Sequence, residues 1–340
     1  MKFDFKALLA AAGVATFAFS PANAYEASPA QTKAGSFIGA SAGMPPPGIY
    51  MFNQIFTYQT NLVGPNAPDH FGRQVNVDVQ GFIFVPGWTF LGATYDALIV
   101  QPFVAAALSN PAPTNISGVF NTYLVPIELS WTKIGGTGFA VKTGLAMYVP
   151  TGTIQGPSGT FNGAAFPGNV GAPYVTFQPE LALSYLAGGW NLTAFIYDEI
   201  NTANSRDNYT TGDIFHVDWT ATYTIGKWTF GPVGYFYAQV SNDKCPIGIC
   251  TAINPAGTLG NAQRFQVVGV GGLLEYNFGP ATASVWVTQD VYAKASNSAA
   301  AALSASADQS LISRGLTVFG TLSYALWNPP APPAAPMFHK

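Results

Sequence analysis

The connections between the apolar segments of this chain come in two kinds, and the two kinds strictly alternate. Tight turns stand at Pro86-Gly87, Ile134 to Thr137, Gly188-Gly189, Gly226-Lys227 and Gly279-Pro280, each carrying the residues that short hairpins demand. Long polar loops stand at 61–72, 109–118, 153–172, 202–211, 241–262 and 295–309. With the ends counted, the alternation gives six hairpins and about twelve strands, every short turn at one rim and every long loop at the other. An even strand number puts both termini on the side of the short turns.

The hairpin within 209–243 shows the pattern best. Phe215, Val217, Trp219, Ala221, Tyr223 and Ile225 fall on one face, and His216, Asp218, Thr220, Thr222 and Thr224 on the other, the period-two signature of a strand. After Gly226-Lys227, Trp228, Phe230, Phe236, Ala238 and Val240 oppose Thr229, Gly231, Tyr235, Tyr237, Gln239 and Ser241. Each arm is long enough for a tilted membrane strand of about 9 to 11 residues, and Tyr223, Trp228 and Phe230 gather at the turn end, where a headgroup boundary would lie. A hairpin of a soluble sandwich would look the same locally, so composition has to decide. Charged residues are 9% of the chain, against about 25% in soluble domains, while 49% are hydrophobic and 14% aromatic. Beyond the first 24 residues no apolar run approaches the roughly 20 that a membrane helix needs. The expected fold is all-β: a closed antiparallel outer-membrane β-barrel of about 12 strands, with short periplasmic turns and longer extracellular loops.

Three further strands are phased the same way. Val75, Val77, Val79, Ile83 and Val85 are expected to face lipid, with Gln74, Asn76, Asp78 and Gln80 inside. Tyr123, Val125, Ile127, Leu129 and Trp131 oppose Thr122, Glu128, Ser130 and Thr132; Val175, Phe177, Leu181, Leu183 and Tyr185 oppose Thr176, Gln178, Glu180 and Ser184. The run 88–109 is poorly phased and longer than a crossing requires, which suggests a bulge or an extension above the rim and leaves its faces unassigned.

Residues 1–24 read as a cleaved signal peptide: Lys2 and Lys6, an apolar run, then Ala22-Asn23-Ala24. Residues 25–44, rich in Ala, Ser and Gly, read as a loosely ordered lead-in, 45–327 as the barrel, and 328–340 as a Pro-rich tail. Pro45-Pro46-Pro47 cannot donate to a ladder and so must precede the first strand. Cys245 and Cys250 lie close together in one loop of an exported chain, which favours a local disulfide over a metal pair or free thiols. Outer-membrane lipid, a small solute and the barrel-assembly machinery during insertion are the expected partners. The net charge of −3 argues against nucleic acid, and no cofactor is implied.

The opening Pro45 to Gly48 with Tyr50, then Pro179 and Tyr185, Tyr209 and Gly212, the run Gly231 to Gln239 with Asp243, and Gly269, Gly271, Tyr276 and Phe278 together resemble a family of outer-membrane proteins named for the meta-cleavage pathway of phenol degradation. The similarity spans roughly Gly43 to Leu326. The resemblance implies passive uptake of small hydrophobic or aromatic compounds through a channel, and no chemistry. The chain departs from the family in its Ala-rich loop, Ala299 to Ala302, and in its Pro-rich tail.

The candidate lumen residues are His216, Asp218, Tyr235, Tyr237, Gln239, Glu180, Glu128 and Glu275, with Asp78, Lys142 and Arg264 as further inward polar positions. The first five would form one patch on adjacent strands. Tyrosine faces there could carry an aromatic solute, with Gln239 or His216 holding its polar end. Two other classes compete. A barrel-embedded hydrolase would need a nucleophile beside a base, with His216 and Asp218 the nearest approach to one; a structural outer-membrane protein would have only small, polar loops to work with.

Overall fold

The computed structural model describes residues 30–63, 72–108, 114–154, 170–206, 208–241, 244, 264–296 and 312–330. Cys245 and Cys250 lie outside the described residues, as do residues 1–24, expected to be a signal peptide. Twelve antiparallel strands close a barrel. They are β1 (Gly48–Val63), β2 (Gly72–Val85), β3 (Ala93–Leu108), β4 (Thr122–Trp131), β5 (Phe139–Val149), β6 (Thr176–Ala187), β7 (Trp190–Asn201), β8 (Ile214–Ile225), β9 (Trp228–Gln239), β10 (Arg264–Asn277), β11 (Ala281–Ser296) and β12 (Ile312–Trp327). The segment Thr114–Val119 extends β4 toward the loop rim by pairing with Phe103 to Leu108 of β3.

Closure follows from β1, which pairs with β2 from Gly48↔Val85 to Asn61↔Gly72 and with β12 from Ile49↔Trp327 to Val63↔Ile312. No strand edge is left for lipid, where an unpaired amide has no water to bond. The short turns have the expected chemistry: Ile225 pairs with Trp228 across Gly226-Lys227, and Gly226 has φ 60°, the positive angle that a two-residue hairpin needs at its first position.

The outer wall is apolar, with Phe177, Leu181, Leu183, Leu274, Val285 and Leu322 among its exposed side chains. Near the short-turn rim it becomes an aromatic girdle. Trp88, Phe139, Trp190, Trp228, Phe278 and Trp327 are all exposed there, with Trp190 packed on Tyr223 at 4.9 Å and Trp228 on Tyr276 at 4.6 Å. Such a belt sets the depth of the barrel in the bilayer. Strands β6 and β8 have the expected phase: Thr176, Gln178, Glu180, His216 and Asp218 are buried within.

Two strands differ from the sequence reading. In β2, Val75, Val77 and Val79 are the inward residues, while Gln74, Asn76 and Asp78 are exposed on the outer wall. Period two distinguishes two faces without saying which is which, and a polar lumen was the wrong guide here. The outer face of β2 is polar near the loop rim and apolar near the turns, at Phe82 and Phe84. In β4 the register slips between Leu124 and Ile127. Pro126, with no N–H for the ladder, sits in the slip, and the extra residue reverses the phase. Tyr123 and Val125 therefore point inward together with Glu128 and Ser130. A bulge between Asp96 and Leu98 explains the poor phasing of β3. Arg264 is exposed, so neither it nor Asp78 belongs to the lumen.

Candidate functional site

The lumen is shared between the chain's own N-terminal segment and an apolar cavity. The lead-in expected to be loosely ordered is, from Ala30 to Gly43, packed inside the barrel. It makes irregular turns there, with Ala34, Ile38 and Ala42 fully buried. Backbone amides outside a ladder must find acceptors when buried, and inward side chains of β6 to β8 provide them. Glu199 accepts from the amides of Gln31 at 2.8 Å and Thr32 at 2.7 Å. Asp218 accepts from Gly35 through both oxygens, at 2.9 and 3.0 Å, and from Phe37 at 3.0 Å. Thr220 and Ser184 accept from Gly39 and Ala42. On the opposite wall, Trp286 donates its indole N–H to the Gly35 carbonyl at 3.1 Å.

The small residues of the segment are what allow this approach. A Cβ added at Gly35, where φ is +91°, would sit 3.0 Å from the Tyr235 ring. Phe37 is the one aromatic anchor of the segment, stacked on Phe195 at 4.3 Å and edge-on to Tyr197 at 5.1 Å. Lys33 lies over the rings of Tyr58 and Tyr235, 5.5 and 5.1 Å from their centroids, a cation–π arrangement.

Every expected lumen residue of β8 and β9 points inward, and the register places them side by side: His216 opposite Tyr237, Asp218 opposite Tyr235, Ile214 opposite Gln239. Most of the patch is engaged with protein. Asp218 holds the N-terminal segment; the Tyr235 hydroxyl donates to Asp290; Gln239 donates to the Ser241 carbonyl. His216 is fully buried between the rings of Tyr197 at 4.4 Å and Tyr237 at 5.4 Å. Neither ring nitrogen of His216 has a hydrogen-bond partner among the described residues, and Glu199 Oε1 is 3.7 Å from Nε2. Asp218 therefore does not orient His216, as a base of a hydrolytic triad would require.

Glu128 and Glu180 belong to a second group, on β4 to β6. Lys142 Nζ is 3.1 Å from Glu128 and 3.8 Å from Asp96, while Glu180 accepts from the Tyr123 hydroxyl and from Gln178. Glu275 stands apart, on the opposite wall.

Between the N-terminal segment and strands β1 to β4 lies a cavity of about 780 Å³, within the range of small-molecule sites. Its wall toward the loop rim is apolar: Phe56, Val77, Val79, Val100, Val104 and Phe120. Trp286, stacked on Phe319 with ring centroids 4.8 Å apart, continues it on the far side. None of these residues was expected in the lumen from sequence, and Val77 and Val79 were expected to face lipid. A signal exists in β3, where Val100 and Val104 on one face and Ile99 and Phe103 on the other are all apolar; a strand apolar on both faces of a barrel has an apolar lumen to face.

Residues 59–303 match the model of the family described as "MetA-pathway of phenol degradation". The chain belongs to that family. No curated protein matches it. Among solved structures, the COG4313 outer membrane channel from Pseudomonas putida F1 is similar over 86% of this chain and 99% of its own, at 12% identity and a TM-score of 0.63, which establishes the shared barrel. The β domain of the Bordetella autotransporter Brka covers 82% of this chain and 99% of its own at 12% identity and a TM-score of 0.42. The CymD monoaromatic hydrocarbon channel covers 84% and 90% at 7% identity and a TM-score of 0.41. The family member described here is an outer-membrane β-barrel.

Proposed function

We propose that this barrel is a passive outer-membrane channel for small apolar solutes, aromatic compounds foremost, and that it is not an enzyme. One observation carries the proposal: toward the loop rim, the wall that β1 to β4 present to the cavity is largely apolar. A pore for ions or sugars lines its lumen with polar groups and water, whereas Val77, Val79, Val100, Val104 and Phe120 offer such solutes nothing to replace their hydration. An apolar solute gains from the same wall at about 25 cal/mol per Å² of surface withdrawn from water. Membership of a phenol-degradation family points to the same class of solute.

The test is accumulation of a labelled monoaromatic hydrocarbon by cells that carry the protein, compared with the double variant Val77→Asp/Val104→Asp. Accumulation should fall to the level of cells lacking the protein, with the variant still folded by heat-modifiable migration. Equal accumulation by folded variant and parent would overturn the proposal.

A further inference from the structure

On β6 the outward residues Tyr185, Leu183, Leu181, Pro179 and Phe177 are apolar from the short-turn end to the loop end, as lipid requires. Side by side, β1 and β2 depart from this. Gln54, Phe56, Val77 and Val79 are their buried inward residues, so Asn53 and Ile55 of β1 and Asn76, Asp78 and Gln80 of β2 belong to the outer face. Asn76 and Asp78 are exposed there, and Asn53 and Gln80 half-buried. The register sets Asn53 against Gln80 and Ile55 against Asp78, which joins the four polar side chains into one stripe around Ile55. Its flanks are of the lipid-facing kind: Asn53 pairs with Leu322 of β12, Asp78 with Phe103 and Asn76 with Ala105 of β3, and Leu322 and Phe103 are exposed. Asn53 follows Gly48, the first residue of β1, by five positions, about 13 Å up a tilted strand and near the middle of an apolar band about 25 Å tall. Hydrocarbon has no hydrogen bonds to give at that depth. The chain gives none either, since the side chains of Asn53, Asn76, Asp78 and Gln80 make no hydrogen bond or ion pair among the described residues.

We propose that this stripe is the contact between two copies of the chain in the outer membrane. Depth selects the partner. Lipid head groups lie at the two rims of the barrel, out of reach of the middle of its wall, whereas a second copy related by a two-fold axis along the membrane normal presents the same groups at the same depth. The stripe is also its own complement. Each amide of Asn53, Asn76 and Gln80 carries both donors and an acceptor, and the carboxyl of Asp78 takes the donors of the other copy; polar groups inside a membrane pair with one another in this way. Small residues beside the stripe, Ala105 opposite Asn76 and Gly320 opposite Ile55, let the two walls approach closely. The contact lies outside the lumen and is independent of the solute that the channel takes.

The experiment is photo-cross-linking of the full chain in whole cells, with p-benzoylphenylalanine placed at Ile55, the exposed centre of the stripe, or at Leu181 on the far wall. Expression is kept low enough that most copies are single, so that yield follows the association constant. The Ile55 position should give an adduct of twice the chain mass on a denaturing gel, and mass spectrometry should locate the cross-link on β1 to β3 of a second copy. The Leu181 position should give none. Adding Asp78→Leu/Gln80→Leu, which makes the stripe apolar and suited to lipid, should lower the Ile55 adduct about tenfold, as expected for the loss of a few hydrogen bonds within a membrane. Heat-modifiable migration checks that this variant is folded. Adducts of Ile55 with lipid alone, or with a different protein, would overturn the proposal. So would equal dimer yields from the Ile55 and Leu181 positions, or an undiminished yield in the folded double variant. If the double variant does not fold, the contrast between Ile55 and Leu181 and the mapped cross-link decide alone.

Discussion

Removing the Asp218 carboxylate should loosen the N-terminal segment without opening the barrel. Asp218→Ala deletes the acceptor of two buried amides, Gly35 and Phe37. Hydrogen bonds to a charged acceptor are worth about 1.5 to 3 kcal/mol each, so the lower figure gives about 3 kcal/mol for the pair. The released segment can rehydrate its amides outside the barrel, so the loss falls on the equilibrium between docked and undocked segment rather than on global unfolding. About 3 kcal/mol is a shift of roughly two orders of magnitude in the undocked population. Lys33 provides the readout, because trypsin can cut after it only when the segment has left the lumen. In the regime where closing outpaces cleavage, the rate follows the undocked population. Trypsin cleavage at Lys33-Ala34, followed by mass spectrometry, should therefore be roughly a hundredfold faster in Asp218→Ala. Thr220→Val, which removes one neutral bond to the Gly39 amide, should give about a fivefold increase. Heat-modifiable migration should be retained in both. Cleavage at the parental rate in a folded Asp218→Ala protein would show that these bonds do not hold the segment.

Two other substitutions probe the wall. Gly269 lies beneath the Tyr235 ring, where an added Cβ would overlap it; Gly269→Ala should displace that ring, strain its bond to Asp290 and destabilise the barrel by about 1 to 3 kcal/mol in denaturant titrations in detergent. On the lipid face, Leu181→Arg should cost about 2 to 4 kcal/mol in the same titration, whereas Gln74→Arg, on the polar outer face of β2, should be near neutral; equal costs would mean that the membrane band is misplaced.

The strand count, the closure and the rim assignment were legible because they depend on local signals. Gly226-Lys227 can be little other than a tight hairpin, and β6 alternates without interruption from Thr176 to Ser184. The direction of each face was legible only where inside and outside differ in polarity. In β8 they do, and His216 and Asp218 were placed correctly; in β2 both sides are mixed, and Val77 and Asp78 were exchanged. Pro126 announced a disruption of β4 without announcing that Tyr123 and Val125 would turn inward behind it. The N-terminal segment was illegible for a different reason. Its Ala, Gly and Ser residues have neither strand nor helix periodicity, and its order comes from Glu199 and Asp218, more than 160 positions away. The same distance hid the true role of Asp218, which on its own strand looks like an open polar residue.

That segment also imposes an order on folding. The Gly35 carbonyl bonds an indole 251 positions further along the chain, and the Gly35 amide a carboxylate 183 positions along. Contacts so distant pay loop-closure entropy before they return anything, and the surface that receives Gly35 exists only once β7, β8 and β11 are assembled. The segment must therefore wait in water while the strands behind it zip together. A sequence able to wait carries few large apolar groups, and between Ala30 and Gly43 only Phe37 and Ile38 qualify; a stickier segment would have offered premature partners to the apolar strands following it. Residues that precede every strand in the sequence are thus among the last to find their places.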